Sequence, residues 1–160
     1  MNALLEERMI VTSATTIDAA LTQQLVRLGE EERLARDLYT AFHDRWGVQV
    51  FYCLAEEEER HTSTLRTILD RNGVPNRLTI LKPGSFDDPA LQERYDDLVE
   101  RGTTSLDAAY AVGADIERAE IGLSSRVVSE TARPDIAVVA RDLRKHDYNH
   151  LAILTFLTNK

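Results

Sequence analysis

The stretch FYCLAEEEERHTSTLRTI, residues 51–68, decides the fold of this chain. Its apolar residues Phe51, Leu54, Leu65 and Ile68 recur in alternating steps of threes and fours, with Glu58 and His61 filling the two positions between them. That rhythm puts all six on one face of an α-helix, the face turned to the core. An acid and an imidazole inside such a stripe are costly, because a buried charge needs a partner. A metal ion is such a partner. An acid followed three residues later by His is also the spacing by which helical bundles hold paired iron or manganese.

Three more helical patterns surround this one. The first runs from about Ile17 to Trp46, with Thr15 and Asp18 as a capping box and Gly47 as a stop. Its stripe reads Leu21, Leu25, Leu28, Glu32, Ala35, Tyr39, Phe42. Glu32 interrupts it, and Tyr39 lies two turns on. A register shifted by one would bury Glu31 with Leu38, but the stripe through Glu32 is cleaner. The competing reading makes Glu30, Glu31 and Glu32 a solvated charge run. The second helix spans about Val48 to Asn72, with Glu56, Glu57 and Glu59 facing solvent. The third begins near Thr104, where Thr104 and Asp107 repeat the capping-box spacing, and fades near Ser129. It places Glu117 and Glu120 on one face with Gly113 and Ser124, small residues that leave room beside the carboxylates. Two such acids repel each other unless a cation intervenes; an exposed acidic strip beside Arg118 is the competing reading. The fourth starts at Pro134 and reads Ile136, Ala140, Leu143, Asp147, His150, Leu154, Leu157, again with an acid and a His three apart in an apolar stripe. His146 lies at the edge of that face and is not read as a ligand. His43 has no acid at matching spacing.

Between the second and third helices lies a long connection, residues 71–102, holding a short helix near Pro89–Arg101 and an extended piece at Leu78–Leu81. The expectation is an all-α chain: a four-helix bundle with one long crossover between helices 2 and 3, the topology of ferritin-like folds. Its 160 residues form one domain, with residues 1–15 a flexible N-terminal segment.

Composition narrows the function. The chain has 27 acidic and 19 basic residues, a formal charge of −8. That argues against a nucleic-acid partner and suits a protein that attracts cations. No apolar run reaches membrane-spanning length, and the N-terminus lacks the features of a secretory signal. The single Cys53 fits a reducing cytoplasm, the expected location. Glu32, Glu58, one of Glu117 and Glu120, and Asp147 bring about four negative charges, matching two divalent ions. Oxygen-rich donors with two imidazoles suit Fe(II) or Mn(II). The donor set does not separate the two, and iron is favoured for its Fe(II)/Fe(III) couple.

The strings EEERLARDLY (30–39), DRWGVQVF (44–51), AEEEERH (55–61), GADIERAEI (113–121) and RPDIAVV with NHL (133–139, 149–151) resemble a ferritin-like family of uncharacterised domains, over about residues 25–155. The wider superfamily includes ferritin, bacterioferritin and rubrerythrin. The resemblance implies a dinuclear metal site with oxidase, peroxidase or ferroxidase chemistry on O2 or H2O2, in oxidative-stress defence or iron handling. It matches Glu32 to the first-helix ligand with Tyr39 nearby, Glu58 and His61 to the second-helix pair, Glu117 to the third-helix ligand, and His150 to the fourth-helix His. Glu120 resembles the extra carboxylate of rubrerythrin-type sites. Asp147 departs from the pattern, standing where the superfamily has Glu. With one Cys, the chain lacks rubrerythrin's paired-Cys relay, so an external electron donor is implied. Met1 and Met9 are the only methionines, and no haem is expected. A homodimer or higher homo-oligomer fits such bundles. The rival expectation is a non-catalytic binding or scaffold domain with the same helices.

Overall fold

The computed structural model describes residues 17–78 and 81–160. Within them the chain is all-helical, without strands: α1 (Ala19–Trp46), α2 (Gln49–Arg71), α3 (Pro89–Gly102), α4 (Leu106–Glu130) and α5 (Pro134–Thr158). Asp18 caps α1, its side chain accepting from the Leu21 N–H at 2.8 Å. Thr15, the other half of the expected capping box, lies outside the described residues, as does the N-terminal segment 1–15. Gly47 stops α1 at φ 65°, a conformation glycine adopts without strain. At α4 the cap is Ser105, which accepts from the Ala108 N–H. Thr104 is therefore not the capping residue; its hydroxyl is turned back to the Arg101 carbonyl at 2.7 Å. Pro89 and Pro134 occupy first-turn positions, where a missing N–H is harmless.

The long helices pack as two hairpins, α1 against α2 and α4 against α5, with α1 also against α4. The crossover carries α3, which packs on α4 and α1. The expected extended piece does not form at either end, since Leu78 lies in a turn and Leu81 in a bend; residues 79 and 80 lie outside the described residues. Leu78 anchors the crossover on Gly29, where an added Cβ would come within 2.6 Å of Leu78 Cδ1. Gly102 is pressed under Phe42, and Trp46 Nε1 donates to its carbonyl at 3.1 Å.

Two apolar clusters fill the interior. One gathers Leu34, Leu38, Tyr39, Phe42, Phe51 and Leu154 with their neighbours. The other gathers Leu25, Leu28, Leu65, Leu69, Ile136 and Leu143 with theirs. Each fully buried side chain of this size contributes about 1.5–3 kcal/mol against exposure. Along every long helix the segment between these clusters is where the polar stripe residues fall, so the folded chain sandwiches a polar layer between two dry ones. No described helix is long and apolar enough to cross a membrane.

Candidate metal centre

All seven stripe residues singled out from the sequence meet in that middle layer. α1 supplies Glu32; α2 supplies Glu58 and His61; α4 supplies Glu117 and Glu120; α5 supplies Asp147 and His150. None is more than 4% exposed. Helical spacing explains the local placement: residues three apart share a face, so each pair on α2, α4 and α5 points to one point of the interior.

Both imidazoles present Nδ1 to the carboxylates. His61 Nδ1 is 2.9 Å from Glu32 Oε2, 2.9 Å from Glu58 Oε2 and 3.9 Å from Asp147 Oδ1. His150 Nδ1 is 2.9 Å from Glu58 Oε1 and 3.4 Å from Glu117 Oε2. Glu58 thus spans the layer, with one oxygen at each imidazole. Three overlapping donor sets result: Glu32, Glu58 and His61; Glu58, Glu117 and His150; and Glu32, Glu120 and Asp147. Within each set one donor atom per residue lies within 4.8 Å of the others. Asp147, despite its shorter side chain, reaches the third set.

The electrostatics of this layer are unbalanced. Burial pushes the carboxyls of Glu32 and Glu120 well above their ordinary range. It also lifts Glu117 to about 7 and Asp147 to about 8, with the Glu58 charge adding to both. Glu58 is the exception. Burial would raise it too, but hydrogen bonds from His150 and His61 hold it below the carboxylate range. The imidazoles move the other way. Burial favours their neutral forms, yet facing carboxylates push His61 to about 11 and His150 to about 12. Were all five carboxylates ionised, two imidazolium charges would leave them undercompensated. Both oxygens of Glu120 and both of Asp147 lack a hydrogen-bond partner, as does Glu32 Oε1. Among the described residues, no arginine or lysine pairs with any of the five.

Native proteins rarely leave buried polar atoms unmatched. Hard carboxylate oxygens with two imidazole nitrogens are the donor set of divalent first-row cations. The spacing agrees: neighbouring ligands on an octahedral ion with bonds of about 2.1 Å stand ~3 Å apart. The residues present therefore fit metal, and would hold it through Glu32, Glu58, His61, Glu117, Glu120, Asp147 and His150.

Around this layer the structure adds contacts that periodicity did not show. Glu57, read as solvent-facing, keeps its side chain 44% exposed yet sets Oε2 2.7 Å from His150 Nε2. His146 is not in any donor set, but its Nδ1 lies 3.1 Å from His61 Nε2. Both imidazoles thus have a partner on the outer nitrogen. Such partners fix the ring orientation and leave the inner nitrogen free to ligate. The Tyr39 hydroxyl donates to Glu117 Oε1 at 2.5 Å, and burial beside that carboxylate raises the phenol well above its usual value. Gly113 makes the room for this: an added Cβ would come within 3.1 Å of both Tyr39 and Leu154. The small residue thus accommodates the tyrosine ring rather than the carboxylates. Ser124 bonds the Glu120 backbone carbonyl at 2.9 Å.

The charge-run reading of 30–32 fails, since Glu31 and Glu32 are both buried. Glu31 nevertheless takes no part in the centre; Arg94 of α3 engages both its oxygens. Arg118 pairs with Asp115 rather than lining an acidic strip. His43 contacts the Val48 carbonyl, remote from the layer.

The fold and site define an all-helical protein with a buried carboxylate–histidine centre. Residues 22–157 match an uncharacterised protein domain, DUF2202, and the chain belongs to that family. It is 33% identical to the uncharacterized protein MJ0754 of Methanocaldococcus jannaschii over 135 residues, 84% of this chain and 73% of that protein. The crystal structure of hypothetical protein MJ0754 superposes with a TM-score of 0.85 at 31% identity, covering 89% of this chain and 82% of the other.

Proposed function

We propose that this chain is a ferritin-like di-iron carboxylate protein that reduces O2 or H2O2, in peroxide defence or iron handling. The observation that carries the reading is Glu58, buried, with a different oxygen at each of two imidazoles. A carboxylate so placed is suited to bridge two cations. Support comes from the two helical hairpins joined by a crossover, the connectivity of ferritin-like four-helix bundles. When bound, a pair of iron ions would supply the Fe(II)/Fe(III) couple for two-electron reduction of the oxidant.

The chain's own residues then divide the work. Glu58 neutralises charge at both positions. Glu32 with His61 and Glu117 with His150 would each hold one ion, and Glu120 and Asp147, whose oxygens have no hydrogen-bond partner, would supply the remaining negative charge. Tyr39 holds a proton against Glu117 Oε1. The apolar clusters on either side keep bulk water from the layer. The electron donor is external, and a homodimer or higher oligomer suits a bundle of this kind. Manganese satisfies the same donors without changing these roles.

Elemental analysis of protein purified without added metal, followed by anaerobic Fe(II) loading and measured O2 or peroxide uptake, tests the reading. It expects about two metals per chain and uptake in proportion to iron. Sub-stoichiometric metal, with stability indifferent to chelators, would overturn it and leave a helical scaffold.

A further inference from the structure

The hairpins meet closely through α1 and α4, whereas α2 and α5 are not packed tightly against each other. Between them runs a groove of about 970 Å³. Its floor is made by His61 and His150, both buried, together with the half-buried His146. These rings lie nearly parallel: His61 and His146 are 5.3 Å apart at 16°, and His61 and His150 are 6.0 Å apart at 19°. The groove therefore opens onto the outer edges of the two imidazoles that face the metal layer.

Its walls are apolar in part. Val139 and Leu143 line it, and Val138 and Ile153 remain 59% and 44% exposed. Its rim is cationic: Arg60, Arg141 and Lys145 are exposed, and their side chains make no hydrogen bond or ion pair among the described residues. Two acids oppose them, Asp142 and Glu57, and Glu57 is already engaged by His150. A positive excess at one groove in a chain of charge −8 concentrates anions there. Apolar walls favour a ligand with a body to bury, and the volume falls within the range of small-molecule sites.

We propose that the α2–α5 groove binds a small organic anion with a flat or apolar body, held by Arg60, Arg141 and Lys145. As a substrate or electron donor for the centre, this ligand rests on the proposed function; as a bound anion, it does not.

Flavin mononucleotide and riboflavin make the probe pair, since they share a ring system and differ by one phosphate. Fluorescence titration of each is run on protein as purified and on Mn(II)-loaded protein. The mononucleotide should bind about tenfold tighter than riboflavin, a preference that shrinks with added salt. Arg60→Gln/Arg141→Gln/Lys145→Gln should abolish the preference with metal content and helicity unchanged, and Lys82→Gln, outside the groove, should leave it intact. Equal binding of the two flavins, no binding, or an undiminished preference in the triple variant overturns the proposal. Those results leave metal stoichiometry untouched. Conversely, a phosphate preference in protein that takes up no metal upholds the anion site and removes only its link to the centre.

Discussion

Glu31 and Glu32 are neighbours in sequence and both are buried, yet they belong to two different electrostatic regions. On the flank of α1 that faces the crossover, every buried acid has an arginine. Glu31 is engaged by Arg94, while Asp37 meets Arg36 at 2.7 Å and Arg33 at 3.7 Å and also accepts from the Gly84 N–H at 2.8 Å. In the interior layer, one residue further along, five carboxylates share two imidazoles and no arginine. On the flank each buried acid already has its counter-charge within the protein. The interior balances only by keeping protons or by taking up added positive charge. A buried acid therefore says little by itself; the charge that meets it separates a fastening from a binding site.

The largest expected difference is in metal content. Glu58→Ala removes a donor shared by two sets and should take bound metal from about two per chain to nearly none, while Glu31→Ala leaves it unchanged, by elemental analysis. Next is stability on metal removal. A metal present at a thousandfold its dissociation constant stabilises by ~4 kcal/mol, so chelation should lower Tm by roughly 8–16 °C in a chain of this size.

Once stripped of metal, the chain should respond to pH with a definite sign. Glu117 and Asp147 titrate at about 7 and 8 when folded, against 4.5 and 3.8 ordinarily. The folded state thus keeps their protons longer. Their contribution is full below the ordinary values and is lost as pH rises through the folded ones. Calorimetry of metal-free protein should show Tm falling between about pH 5 and pH 9, with metal restoring it most at the upper end. Glu58, shifted downward, opposes this only on the acid side.

Asp37→Ala should cost about 3 kcal/mol in denaturant unfolding, because it removes the carboxylate that faces the buried Arg33 and also engages Arg36, without altering metal content. The smallest effect is expected for Tyr39→Phe. It removes one hydrogen bond to Glu117, about 1 kcal/mol, and leaves the metal bound.

The same contrast explains which residues are legible in the sequence and which are not. Glu32, Glu58, His61, Asp147 and His150 announce themselves because each breaks an apolar stripe on its own helix, and Glu117 and Glu120 because they share a helix face with the small residues Gly113 and Ser124; helix period is a local property. Gly47 and Pro134 mark helix boundaries for equally local reasons of backbone geometry. The pairs Glu31 with Arg94, Glu57 with His150 and His61 with His146 carry no such mark. Their partners lie 63, 93 and 85 residues apart. Whether such residues meet depends on how one helix is rotated and raised against another. The cap at Ser105 rather than Thr104 is ambiguous in the same way, since both residues can cap and only the backbone path selects one.

What the sequence determined by itself was which side of each helix is inward, and with it the inventory of acids and imidazoles forced into the interior, because side-chain direction follows from a 3.6-residue period. What only the tertiary structure decided was how those side chains divide: Glu58 between two imidazoles, Glu31 to an arginine, and a cationic groove left between α2 and α5. The physical reason is that charge interactions fall off over a few ångströms, and distances of that order between separate helices are fixed by packing.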